Sequence, residues 1–155
     1  MKKSLSQNKK ILNATKTVYN GIEFKSITEK RIYKALIELG ITPKYENKTF
    51  KIWKGCYPTV RYYTKNNRNN LMQDQMKLRD IHYTPDFTFY YRGYFVIIEV
   101  KGFENDVFPM KFKIFRKYLE GKRNKRKIIL AEIFNKRMLL QFIDELNKLE
   151  SNEEF

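Results

Sequence analysis

Three ionisable residues interrupt two short apolar segments. Asp86 stands in Thr84-Pro85-Asp86-Phe87, and Glu99 and Lys101 stand in Ile98-Glu99-Val100-Lys101-Gly102. The segments Tyr83 to Tyr91 and Tyr94 to Lys101 are dense in aromatic and β-branched residues. They meet at Arg92-Gly93, the pattern of a tight β-hairpin. With those two residues as the turn, Tyr91 faces Tyr94 and Asp86 falls across from Glu99. Period-two alternation then places Lys101 on the same face as Glu99. Opposed carboxylates have Cβ atoms roughly 4.5–5.5 Å apart and repel one another, so something must compensate. A divalent cation does so well: Mg²⁺ is typically bound by one or two carboxylates and keeps waters for a substrate phosphate. Lys101 would neutralise residual charge, orient a water or stabilise a developing oxyanion. The plainer alternative is a salt-bridged trio on an exposed sheet face. The apolar surroundings (Phe87, Phe89, Phe95 to Ile98, Val100) argue against exposure.

Glu29 approaches the same question from a helix. Ser26 and Glu29 form an S-x-x-E capping box, and Ile32, Ala35, Leu36 and Leu39 recur at helical spacing before Gly40 and Pro43 stop the run. Glu29 therefore heads the apolar stripe, and an inward carboxylate needs a partner; the capping box alone is the competing explanation. Tyr45 to Lys54 reads as a strand. Pro109 opens a second helix with Phe112, Phe115 and Leu119 on one stripe, ended by Gly121. Ile128 to Phe134 is a buried-looking strand. A last helix carries Leu139, Phe142, Ile143, Leu146 and Leu149. The order is α-β-β-β-α-β-α, an α/β fold with a mixed central sheet flanked by helices.

The whole chain has 155 residues, 32 Lys plus Arg against 17 Asp plus Glu, and a net charge of +15. That length fits one domain. A hydrophobic fraction of 42% with 15% aromatics is too rich for disorder. A real core under a positive surface points to a polyanion, nucleic acid or an anionic membrane. No apolar run is long enough to span a bilayer, and the N-terminus does not read as a secretory signal. The basic residues surround a folded core and do not line one amphipathic helix, which disfavours a membrane partner. With one cysteine, Cys56, and one histidine, His82, a structural zinc site is excluded within one chain. The lack of a disulfide framework fits a reducing cytoplasm. Nothing in the chain suggests a small-molecule substrate.

The basic excess is local. Residues 1–20 hold five lysines and no acid and read as a flexible basic arm. Residues 55–81 read as a long basic insertion carrying Arg61, Lys65 and Arg68, ordered partly or only on binding. Tyr62 and Tyr63 beside them are suited to stacking on unpaired bases, or equally to loop packing. Between Val107 and Lys127 there are nine basic residues and one acid. Lys111, Lys113, Arg116 and Lys117 belong to the second helix, and Lys122, Arg123, Lys125 and Arg126 to the run after it. A solvated face is the usual fate of such a run; its place just after a metal-ready motif favours phosphate contact. Residues 21–150 make the single domain, and residues 151–155 a frayed acidic tail.

The motifs Tyr83-Thr84-Pro85-Asp86-Phe87 and Ile98-Glu99-Val100-Lys101-Gly102 resemble the signature of the PD-(D/E)xK nuclease superfamily. The small size and the helix glutamate are most similar to phage endonuclease I-type Holliday junction resolvases. The resemblance, over about residues 24–134, implies a restriction-endonuclease-like α-β-β-β-α-β core and a Mg²⁺-dependent endodeoxyribonuclease, with Mn²⁺ as a substitute. It implies Asp86 and Glu99 as metal ligands, Lys101 as the catalytic lysine acting on the attacking water, and Glu29 as an aid to metal or water binding. The implied partner is DNA, with branched recombination or replication intermediates the more specific form and a homodimer if the resolvase likeness holds. The alternatives are a restriction-like or end-processing phage nuclease, and a catalytically inactive nucleic-acid-binding protein of the same fold.

Overall fold

The expected hairpin lies at the centre of the molecule. The computed structural model describes residues 15–102, 108–123 and 126–149. In it β8 (Phe87–Tyr91) pairs antiparallel with β9 (Tyr94–Val100), Tyr91 opposite Tyr94 and Phe87 opposite Ile98. Arg92 and Gly93 have φ of 49° and 80°. Two consecutive left-handed residues are what a two-residue hairpin turn with the native strand twist requires.

β10 (Ile128–Ile133) adds parallel to β9 after the crossover helix α2 (Phe108–Glu120), and β3 (Lys44–Tyr45) closes the other edge. The sheet order is β10-β9-β8-β3. Both faces of this sheet are covered, which is why β9 reads as an unbroken apolar run. Val96 and Ile98 pack into one cluster with Phe87, with Ile32 and Leu36 of α1 (Ile27–Glu38), and with Leu139 and Ile143 of α3 (Lys136–Lys148). Phe95 and Ile97 alternate into a second cluster with Phe112 and Phe115 of α2. Among the described residues the protein is thus mixed α/β, with three helices and a mixed four-stranded sheet. None of these helices is long and apolar enough to cross a membrane.

Three expectations need correction. The end of the arm expected over residues 1–20 is not flexible: β1 (Thr17–Tyr19) forms a hairpin with β2 (Ile22–Phe24) around Asn20-Gly21, both at positive φ. Asn-Gly is a strong short-range hairpin signal, and Phe24 is fully buried against Tyr33, Tyr45 and Phe87. Residues 1–14, the acidic tail at 151–155 and Lys125 lie outside the described residues.

The single strand expected over Tyr45 to Lys54 is split. Glu46 turns left-handed (φ 41°) with its amide bonded to the Asp86 carbonyl. After that turn the chain leaves the main sheet, and β4 (Phe50–Trp53) pairs instead with β7 (Ile81–Tyr83).

The insertion is ordered as well. β5 (Tyr62–Lys65) and β6 (Leu71–Asp74) form an antiparallel ribbon. Its asparagine cluster builds the loop, because the Asn66 side-chain oxygen accepts from the Arg68 and Asn70 amides. Local side-chain to backbone bonds of this kind are what favour Asn in turns.

Candidate metal centre and basic surfaces

Asp86 sits at the entry to β8, one residue before the first ladder pair, with buried Pro85 preceding it. It is pinned twice. Its carbonyl accepts from the Glu46 amide at 2.8 Å, and its carboxylate oxygen Oδ2 accepts from the Val100 amide at 2.7 Å. The second bond crosses to β9 beside Glu99, so the two carboxylates converge as the hairpin register predicts. Lys101 extends the parallel ladder through its amide to the Ile133 carbonyl. Its side chain is 6% exposed, with Nζ 3.3 Å from Glu99 Oε1 and over the Phe108 ring.

The electrostatics follow from burial. Removal from water pushes the Asp86 carboxyl well above its usual range, and the charges of Glu99 and then Glu29 push it further. Burial raises Glu99 too, against the pull of Lys101. Burial and the Glu99 charge hold the Tyr83 phenol far above its ordinary value. The phenol and the carboxylate lie close enough to perturb each other, the hydroxyl drawing the Glu99 carboxyl down. Tyr83 Oη and Glu99 Oε2 are both buried without a hydrogen-bond partner among the described residues. Leaving a buried acceptor unpaired costs about 1–3 kcal/mol, more when it is charged. An orphaned carboxylate oxygen beside a second carboxylate is therefore a place where a cation would be stabilising. Among the described residues no group of three or more His, Cys, Asp or Glu forms a ready metal cage. A two-carboxylate site with waters fits Mg²⁺ and does not fit a closed, zinc-like cage.

Glu29 is buried near this centre, but its carboxylate is already engaged. Ser26 Oγ donates to Oε1 at 2.8 Å; the Lys25 amide and the Tyr45 hydroxyl donate to Oε2 at 3.1 and 2.6 Å. The Glu29 amide donates to Ser26 Oγ at 3.1 Å, the N-cap half of a capping box, while the Glu29 carboxylate reaches the Lys25 amide and not that of Ser26. Glu29 thus influences Asp86 through its charge, while its oxygens hold the start of α1 and the end of β3.

One carboxylate of the centre went unread in the sequence. Glu132 pairs with Glu99 in the parallel register of β10 and β9, and its charge raises both Glu99 and Tyr83. The available signal was a lone acid in the apolar run Ile128 to Ile133. Its meaning depended on which strand lies beside β9.

The basic residues fall into two groups. Lys113, Arg116 and Lys117 are exposed on α2, and Lys122, Arg123 and Arg126 are exposed beyond it. Lys111 is half-buried with Nζ 5.9 Å from the Tyr83 ring centre, which ties α2 to the carboxylate site. Arg123 shares its charge with Glu120 at 3.4 Å. Arg61, Lys65 and Arg68 are exposed on the β5–β6 ribbon. His82 is exposed on β7 and Cys56 is an exposed free thiol.

The family model described as "Protein of unknown function (DUF1064)" matches residues 9–129, which include both carboxylate motifs and the whole of the basic run from Val107 to Lys127. No curated protein and no solved structure matches the chain.

Proposed function

The chain belongs to the DUF1064 family, and for it we propose metal-dependent hydrolysis of DNA phosphodiester bonds by a PD-(D/E)xK-type endonuclease centre. The observation that carries this reading is the trio at the end of the β8–β9 hairpin, Lys101 buried and Asp86 and Glu99 partly buried. Asp86 and Glu99 converge, Glu99 Oε2 has no hydrogen-bond partner among the described residues, and Lys101 Nζ is 3.3 Å from Oε1 of the same carboxylate. A binding protein gains nothing from two buried like charges, whereas a catalyst that must gather cation and phosphate does.

Asp86 and Glu99 would hold the cation, which when bound supplies Lewis-acid stabilisation of phosphate charge. Asp86 is fixed for that role by the Val100 amide and the Glu46 amide, so its carboxylate needs little reorganisation. Lys101 Nζ, 3.3 Å from Glu99 Oε1, is placed to orient an attacking water or meet charge on a phosphate oxygen. The Phe108 and Phe112 rings around Nζ exclude solvent from that side. Tyr83 holds its proton at neutral pH and offers a hydroxyl facing Glu99. Basic residues of α2, starting with Lys111, would carry the flanking phosphates.

Incubation with linear duplex, single strand and a four-way junction, in Mg²⁺ or in EDTA, tests the reading. Metal-dependent cleavage of at least one substrate is expected. Preference for the junction would establish the resolvase form, and equal rates on duplex and junction would eliminate it. DNA binding without cleavage of any substrate would leave a non-catalytic binding protein.

A further inference from the structure

Among the described residues the β5–β6 ribbon makes no extensive contact with another element of the body, yet its side chains are sorted. In its register Tyr62 faces Asp74, Tyr63 faces Gln73, Thr64 faces Met72 and Lys65 faces Leu71. Alternation puts Tyr63, Lys65, Leu71 and Gln73 on one face, and Arg61, two residues before Tyr63, continues it. The other face has Tyr62, Thr64, Met72 and Asp74. The ribbon's one acid is thus segregated from Arg61 and Lys65. The cationic face is wholly exposed, with Tyr63 at 52% and Leu71 at 78%, and Arg68 stands in the loop at the tip. No ion pair among the described residues uses Arg61, Lys65 or Arg68.

The root of the ribbon is fixed. Gly55 approaches the segment leading into β7 so closely that a Cβ would lie 1.9 Å from the Leu78 carbonyl oxygen. Its amide donates to Asp80 Oδ1 at 2.8 Å, Asp80 pairs with Lys51 of β4 at 2.6 Å, and the Leu78 amide bonds the Cys56 carbonyl. From Asp80 the chain runs through β7 directly to Asp86. The ribbon is therefore an arm set on the β4–β7 ladder, whose second strand leads into the segment that carries Asp86.

We propose that the β5–β6 ribbon is a duplex-docking arm that lays its Arg61–Tyr63–Lys65–Gln73 face into the major groove of DNA flanking the cleaved phosphate. A two-stranded ribbon fits that groove, about 12 Å wide. Arginine and lysine supply phosphate or guanine contacts, and the Gln73 amide can pair with an adenine edge. A second copy of this chain is a poorer occupant. The apolar side chains are divided between the two faces, and ribbon-to-ribbon pairing would bring like charges together. The proposal rests on DNA being the substrate, but binding in EDTA tests it separately from cleavage.

The experiment measures binding of the Asp86→Asn protein to a linear duplex and to a single strand of the same length, in EDTA, across a range of KCl. It is repeated in the Arg61→Gln/Lys65→Gln/Arg68→Gln background. Loss of three phosphate contacts should weaken duplex binding at least about tenfold near 0.1 M salt and lower the salt slope by about 2–3. Single-strand binding should change far less. An unchanged duplex affinity, or an equal loss on single strand, overturns the arm. A fall from dimer to monomer in light scattering with duplex binding intact overturns it too, in favour of a second copy. Unchanged thermal unfolding of the triple variant shows that any loss is one of contact and not of folding. Failure of cleavage with the ribbon effect intact defeats the nuclease reading alone; normal cleavage with no ribbon effect defeats the arm alone.

Discussion

The hairpin β8–β9 and the ribbon β5–β6 are both antiparallel pairs rich in aromatic and apolar residues, and they meet opposite fates. In the first, Phe87, Val96, Ile97 and Ile98 are fully buried between helices; in the second, Tyr62, Tyr63, Leu71 and Met72 are exposed. Hairpins isolated from other structure are marginal in water. The central pair is held by packing, and its cost is two carboxylates forced out of solvent. The ribbon is held by its own ladder, its Asn66 loop and a tight glycine root, and it keeps its charges in water. Buried charge calls for a compensating ion, while exposed unpaired charge calls for a macromolecular polyanion. Under the proposed function, the two pairs would meet the same substrate from different sides.

Substitutions that separate packing from surface chemistry test this contrast most strongly. Phe115 is fully buried, stacked on Tyr83 at 4.2 Å and against Phe50 at 5.2 Å. Phe115→Ala should cost about 3–5 kcal/mol in chemical denaturation. Tyr63→Ala should stay within about 0.5 kcal/mol. Comparable losses at both positions would mean that the ribbon is packed like the core.

Lys101→Ala should lower cleavage by roughly 10²-fold or more while leaving DNA affinity nearly unchanged. A fall in affinity with an unchanged single-turnover rate would reduce Lys101 to a phosphate contact.

Asp86→Asn keeps an acceptor for the Val100 amide but removes one of two buried like charges. The metal-free variant should be more stable by about 1 kcal/mol, roughly 3 °C in Tm, and Mg²⁺ or Mn²⁺ should no longer raise its Tm. The pH dependence has a definite sign. Asp86 and Glu99 are raised in the folded state, so that state binds more protons than the unfolded chain. Their contribution is most favourable below the ordinary carboxylate range and is lost as pH rises through the raised values. A metal-free Tm that increases over that interval would show that the carboxylates are not buried together.

The smallest effect belongs to the ribbon root. Lys51 and the Gly55 amide hold the Asp80 carboxyl down to about 2. A depressed acid stabilises above its ordinary pKa, and that contribution disappears as pH falls through the folded value. Asp80→Asn should therefore speed hydrogen exchange at Gly55 and Leu78 at neutral pH with the global Tm almost unmoved. A large fall in Tm would place the root in the core.

Much of the centre was legible because hairpin register is local. A two-residue turn at Arg92-Gly93 determines which residues oppose, and no distant contact enters that arithmetic. The same local reasoning was open at Asn20-Gly21, where a basic composition masked a turn signal. The split at Glu46 was not readable, since it depends on an amide meeting the Asp86 carbonyl forty residues away in sequence. Glu29 was legible as inward, with capping as the competing reading. That Tyr45 would occupy its second oxygen required the β3–β8 pairing.

The sequence by itself determined the α/β class, the opposed carboxylates with their lysine, and the positive charge, because turn chemistry, strand alternation and composition act over a few residues. Tertiary structure alone decided that Glu132 stands beside Glu99, that Glu99 Oε2 is buried without a hydrogen-bond partner among the described residues, and that the ribbon's cations remain in solvent. Those are matters of which element covers which, and non-local packing settles them.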